Sequence, residues 1–104
     1  MSWRNKYRLR DKKRASKIPT EEFAGILDRS DDFPSGHFLI GDEEVGYRVC
    51  LWNSERGLYN MRSHDNAYYF AMVEYLLANG ALRFASTQEA EAFAVAQGWA
   101  KAQA

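Results

Sequence analysis

The sequence predicts an α+β fold, in which a small antiparallel sheet of three to four strands packs against two or three helices, with a basic N-terminal arm before them. Two observations predict it. Strand patterns joined by short turns precede one long apolar helix, and a further strand and helix follow it, which gives the order α-β-β-β-α-β-α. The charges are also sorted: residues 1–17 carry a net charge of +7, and residues 18–104 carry −7.

We therefore divide the chain into an arm, residues 1–17, and one α+β domain, residues 18–104, because 104 residues suit a single domain. In the arm, Trp3, Tyr7 and Leu9 alternate with basic residues, as in a strand with one basic face. Trp3 and Tyr7 are also four positions apart, as on one face of a helix. Both alternatives stay open, and we expect a terminus that is either poorly ordered or docked on the domain.

The first helix of the domain is predicted over residues 21–29, with Thr20 as its cap and Phe23 on its apolar face. Residues 30–36 form a loop, since Asp, Ser, Pro and Gly dominate them. Strands are then predicted at residues 37–40, 45–52 and 58–62.

The strand at residues 45–52 has the clearest alternation. Tyr47, Val49 and Leu51 point to one face, and Arg48, Cys50 and Trp52 point to the other. Apolar side chains on both faces predict a central strand, and Gly57 closes a hairpin loop to the next strand. We expect the helices to cover one side of this antiparallel sheet.

The stretch Asp65–Gly80 is predicted to form the long helix that organises the domain. Between residues 67 and 78 Glu74 is the only charged residue, and apolar side chains lie nearly all round the helix, so we expect other elements to cover more than one of its sides. Ser63 or Asp65 caps its start, and Asn79 with Gly80 forms a left-handed stop at its end.

The chain closes with a brief strand at residues 81–85 and one more helix. Ser86 and Glu89 form a capping box at the start of that helix. Its inward side chains are predicted to be Ala90, Phe93 and Ala94, and Trp99 is expected to fold back on the last turn after Gly98.

Composition restricts the classes of protein. Apolar residues make up 46% of the chain, which is too much for a disordered protein. No apolar run approaches the length of a membrane span, and no secretory leader precedes the first charges, so we expect a cytoplasmic protein without a membrane partner. A single cysteine, Cys50, excludes an internal disulfide.

No stretch carries a catalytic or cofactor signature, so we predict no catalytic residue, no metal and no cofactor. His64 beside Asp65 is a general-base candidate, but adjacent residues on a helix do not face each other, and capping explains both better. Cys50 lies among apolar neighbours and is interpreted as buried and inert. The acidic turn at residues 42–44 lacks any metal-ligand spacing with His37 or His64.

Two binding hypotheses remain. The first is a non-enzymatic interaction protein, a homodimer, since 104 residues do not obviously cover an all-apolar helix. Its pocket or interface would be rich in tyrosine, because tyrosine hydroxyls seek polar partners and are hard to bury completely. The residues predicted for it are Trp52, Tyr68, Tyr69, Met72 and Tyr75.

The second hypothesis is a nucleic-acid or other polyanion partner for the arm, whose basic side chains neutralise phosphates. The same side chains would alternatively dock on an acidic protein surface. They are Arg4, Lys6, Arg8, Arg10, Lys12, Lys13, Arg14 and Lys17. A small enzyme or small-ligand-binding protein without a motif is a third alternative, for example through His64 with Glu74 or Tyr68.

Overall fold

The computed structural model describes residues 2–27, 36–53 and 57–99. Over these residues it confirms the α+β fold, with three helices and a four-stranded sheet. The helices are α1 (Leu9–Ala15), α2 (Asn66–Ala78) and α3 (Thr87–Ala96), and the strands are β1 (Phe38–Asp42), β2 (Gly46–Asn53), β3 (Gly57–Asn60) and β4 (Arg83–Phe84). None of the described helices is long and apolar enough to cross a membrane.

The sheet has the strand order β3-β2-β1-β4. The first three strands form an antiparallel meander, in which Leu39 pairs with Val49 and Leu51 pairs with Tyr59. β4 lies parallel to β1, so the sheet is mixed rather than wholly antiparallel. The reason is that α2 connects β3 to β4 as a crossover, and a crossover joins strands that run in the same direction.

Helices cover both faces of the sheet, which corrects the expectation of one covered side. Leu39 and Val49 face the main core with α1 and α2, whereas Cys50 and Trp52 face a second core beneath α3. This assignment confirms the alternation predicted for β2 and its central position. The second helical layer exists because Cys50 and Trp52, both buried, give that face an apolar surface to cover.

The long helix is present as predicted and is covered by its own chain. Asp65 caps α2, since its carboxylate accepts hydrogen bonds from the backbone N–H groups of Ala67 at 2.9 Å and Tyr68 at 3.4 Å. Gly80, with φ of 73°, ends the helix, and the N–H of Ala81 closes the last turn on the carbonyl of Leu76 at 3.1 Å. α1, the sheet and the segment around Phe23 cover different sides of α2.

The helix predicted over residues 21–29 is wrong in its described part, residues 21–27. A single 3₁₀ turn, Thr20–Phe23, takes its place, and Pro19 rather than Thr20 is the residue before it. Ala24 is extended and Gly25 has φ of 88°, so the backbone leaves the helical region after one turn. The loop predicted over residues 30–36 lies outside the described residues except for its last position.

The end of the described chain follows its local signals. The hydroxyl of Ser86 accepts from the N–H of Glu89, and the Glu89 carboxylate accepts from the N–H of Ala85 at 2.8 Å, so the capping box reaches one residue further back than the standard pattern. After Gly98, Trp99 folds back as expected: its N–H donates to the carbonyl of Ala94 at 2.8 Å.

Candidate nucleic-acid interface

The start of the chain is anchored to the domain by one aromatic side chain. Trp3 lies in a 3₁₀ turn, Trp3–Lys6, and only 1% of its surface is exposed. Its ring contacts those of Tyr7, Tyr47 and Phe70 at centroid distances of 6.0, 5.8 and 5.3 Å. Its backbone N–H donates to the carbonyl of Glu43 at 2.7 Å. Burial of this indole therefore fixes the segment that carries most of the basic residues.

After the anchor the chain is helical rather than extended. α1 buries Asp11 and Ala15 and packs along α2. Arg10, Lys13 and Arg14 lie on one outer face of α1, since Arg10 is three positions before Lys13 and four before Arg14. Lys17 follows just past the end of α1, and all four side chains are exposed.

Three basic side chains hold this segment against the domain. Arg4 donates to the carboxylate of Glu74, and this hydrogen bond raises the pKa of the Arg4 guanidinium. Arg14 lies 3.2 Å from the carboxylate of Asp65. Lys6 donates through Nζ to the carbonyl of Val45 at 2.6 Å.

The other five predicted basic residues have no acidic partner among the residues that the structure describes. Docking on the acidic domain therefore uses only part of the charge of the segment, and the remainder faces outward. Lys12 is half-buried and the other four are exposed. They are Arg8, Arg10, Lys12, Lys13 and Lys17.

Three adjoining depressions run beside this segment. The largest, which we call the hairpin cleft, has a volume of about 920 Å³ and lies between the segment, the β1–β2 turn and the start of α3. The arginine cleft adjoins the hairpin cleft. It has a volume of about 430 Å³, and Arg8, Asp11 and Asn66 line both clefts. The third, the tyrosine cleft, has about 510 Å³ and shares Arg14 and Asp65 with the arginine cleft.

We call the three depressions together the basic track. Six basic side chains line it against four carboxylates, and His64 adds an imidazole in the arginine cleft. The basic side chains are Lys6, Arg8, Arg10, Arg14, Lys17 and Arg48, and the carboxylates are Asp11, Glu22, Asp42 and Asp65.

Arg48 is a member of this track that the sequence interpretation placed only on a strand face. Its guanidinium donates through Nη2 to the hydroxyl of Thr87 at 3.1 Å and so links β2 to the start of α3. The strand alternation predicted its side, but only the tertiary fold brings it near Lys6 and Arg8.

The residues predicted for a tyrosine-rich pocket or interface do not converge on one pocket of the described structure. Met72 is buried in the main core, and Trp52 lies in the second core on the other sheet face. Tyr68 and Tyr75 pack against Phe23, at ring-centroid distances of 5.2 and 5.5 Å.

The hydroxyl of Tyr69 accepts from the backbone N–H of Val49 at 2.8 Å, and burial raises the pKa of Tyr69. This tyrosine therefore satisfies its hydroxyl inside its own chain rather than at an open pocket mouth. Its role is to tie α2 to β2.

The residues considered as catalytic candidates, Cys50, His64 and Glu74, lie in different parts of the structure. Cys50 is fully buried, donates through Sγ to the side-chain carbonyl of Asn60 at 3.3 Å, and has its pKa raised by burial to about 11. His64 lines the arginine cleft, whereas Glu74 is paired with Arg4. Within the described ranges no three His, Cys, Asp or Glu residues form a group that could hold a metal ion.

The described residues thus form an open, basic, partly aromatic surface. Comparisons with protein-family models, curated proteins and solved structures find no match to this chain.

Proposed function

We propose that this protein is a binding protein that takes nucleic acid as its partner, through the basic residues between Lys6 and Lys17. One observation carries the proposal: six of the eight basic residues at the start of the chain have no acidic partner among the described residues, although the rest of the chain is acidic. Outward-facing Arg and Lys side chains on one helical face are the feature by which proteins neutralise phosphates.

The neighbouring acidic groups do not cancel this surface. Asp65 caps α2 and pairs with Arg14, and Asp11 lies 3.8 Å from the same guanidinium. Asp42 accepts from two backbone N–H groups of its own turn, those of Glu44 and Val45. These three carboxylates of the track therefore already have partners, which lowers the repulsion of an approaching phosphate.

A homodimer stays a second prediction without a new argument in its favour. The sequence argument for it is that α2 is too apolar for one chain to cover. Six side chains of α2 are buried within the single chain, so this reason no longer supports it. Light scattering coupled to gel filtration at low and high salt measures the oligomeric state directly.

The proposal is tested by fluorescence anisotropy with a labelled oligonucleotide over a series of salt concentrations. We expect binding at low salt, and a logarithm of the affinity that falls linearly with the logarithm of salt, by about 0.7 to 0.9 per phosphate contacted. Charge reversal at two unpaired positions, Arg10→Glu with Lys13→Glu, weakens binding by about tenfold or more and makes the slope shallower.

The single variants Arg10→Glu and Lys13→Glu are measured as well, and Arg62→Glu is their matched control. Arg62 is exposed, lies outside the basic segment and undergoes the same change of charge. If Arg62→Glu weakens binding as much as Lys13→Glu does, the segment is not the contact surface. If the unmodified protein does not bind at low salt, the proposed function is wrong.

A further inference from the structure

We infer that the nucleic acid is single-stranded and that its bases enter the hairpin cleft, while its phosphates follow the basic track. This inference rests on the proposed function and specifies the form of the partner. It is based on the residues that line the hairpin cleft. These include basic side chains from the first 3₁₀ turn, the start of α1 and β2, and two tyrosine rings that are only partly buried.

The basic side chains of the hairpin cleft are positioned by neutral partners. Lys6 donates to the carbonyl of Val45, and Arg48 donates to the hydroxyl of Thr87. Arg8, exposed beside them, has no acidic partner among the described residues. A neutral acceptor fixes the direction of a cation without cancelling its charge, so these groups remain able to bind phosphate.

The aromatic component of the cleft consists of Tyr7 and Tyr47. Both rings pack edge-on against Trp3, with interplanar angles of 88° and 84°. The hydroxyl of Tyr47 is also held by Glu43, to whose carboxylate it donates at 3.1 Å. Two rings held by a buried indole are pre-organised, and nucleobases stack on such rings with little regard to sequence.

The continuity of the track is the reason for a strand rather than a mononucleotide. Arg8 lines both the hairpin cleft and the arginine cleft, and Arg14 lines both the arginine cleft and the tyrosine cleft. A flexible single strand can follow this path and turn its bases into the first cleft. A duplex keeps its bases stacked inside, so it reaches only the outward basic face of α1.

The test compares three probes on the complete, unmodified protein by competition anisotropy. They are a single strand, a duplex of the same sequence, and an abasic strand that has the same phosphates but no bases. We expect the single strand to bind about tenfold or more tightly than either of the others, since stacking of even one base is lost in both.

Two variants locate the discrimination. Tyr47→Leu removes one of the two stacking rings, so it should reduce the preference for the normal strand over the abasic strand and leave abasic binding unchanged. Tyr47→Phe keeps the ring and should keep the preference. Arg10→Glu with Lys17→Glu, at two exposed positions of the track, should weaken both strands by the same factor, because it removes phosphate contacts only.

Equal affinity of the normal and abasic strands overturns the inference but leaves the proposed function standing. Equal affinity of strand and duplex does the same, and points to contact by the outer face of α1 alone. If none of the probes binds, the proposed function fails and the inference fails with it. The comparison of the three probes needs no variant, so a folding defect of Tyr47→Leu does not prevent the decision.

Discussion

The guanidinium of Arg4 donates from Nε to the carboxylate of Glu74, although seventy residues separate them in the chain. Glu74 is the one charged residue between positions 67 and 78 of the apolar helix, and its partner lies in the first turn of the protein. The long helix and the basic segment are therefore joined at this position. Glu43, whose carboxylate lies 3.4 Å from Arg4, brings the β1–β2 turn to the same guanidinium.

We expect this pair to contribute only about 0.2–1 kcal/mol, because partly exposed ion pairs are screened by solvent. The Arg4 and Glu74 side chains are 40% and 38% exposed. A double-mutant cycle with Arg4→Gln and Glu74→Gln, measured by urea unfolding, gives the coupling energy. The coupling should decrease at high salt, and a value that is large and independent of salt would contradict this interpretation.

Trp3 should contribute much more than the ion pair. Trp3→Ala removes a buried indole among three aromatic rings and is expected to lower the free energy of unfolding by about 3–5 kcal/mol. Trp3→Phe should cost less, since it keeps a ring in the site and removes an indole N–H that has no hydrogen-bond partner among the described residues. Urea unfolding followed by circular dichroism measures both.

The control is Leu9→Ala, also in the N-terminal segment, because the Leu9 side chain is 65% exposed. Its expected cost is within about 0.5 kcal/mol. If Trp3→Ala proves as mild as Leu9→Ala, the segment does not dock in solution, and the hairpin cleft that it lines does not form.

The local signals in the sequence were sufficient for most elements of the fold. Asp65 and Gly80 mark the ends of α2, and the alternation along residues 46–53 separates the two faces of β2. Each signal lies within a few residues of the element that it defines. The physical causes are local: a cap satisfies free backbone N–H groups, and the pleat of a strand alternates its side chains between two faces.

The N-terminal segment could not be predicted in this way. Alternation and a four-residue spacing of Trp3 and Tyr7 favoured different structures, and the choice depends on contacts with Phe70 and Tyr47, far along the chain. The basic track is likewise tertiary, since Arg48 reaches it from β2. The parallel pairing of β4 rests on two residue pairs and has no local signal either.

Asp65 has two separable roles, as the cap of α2 and as the partner of Arg14. Asp65→Ala removes both and should lower the free energy of unfolding by about 0.5–2 kcal/mol. Asp65→Asn keeps an oxygen acceptor for the N–H groups of Ala67 and Tyr68 and should cost less, because only the charge is lost. Thermal unfolding of the two variants measures the difference, and equal costs would mean that the ion pair rather than the cap stabilises this end of α2.

Cys50 should make the stability of the fold depend on alkaline pH. Burial raises the pKa of its thiol from 9.0 to about 11 in the folded protein, so between these values the folded state holds a proton that the unfolded state has lost. Stability is therefore fully present below about pH 9 and decreases as the pH rises toward 11, by an amount on the order of 2–3 kcal/mol for this group.

Raised pKa values of Tyr7, Tyr47 and Tyr69 act in the same direction, so the measurement must isolate the cysteine. Cys50→Ala keeps the tyrosines and removes the thiol. At neutral pH this variant should be less stable than the unmodified protein, because it leaves a small cavity beside Asn60. The difference in unfolding free energy should shrink as the pH rises through the window, measured by urea unfolding at several pH values. A difference that stays constant from neutral pH to pH 11 would contradict this prediction. It would mean that the fold accommodates the thiolate and that burial does not raise the pKa of Cys50.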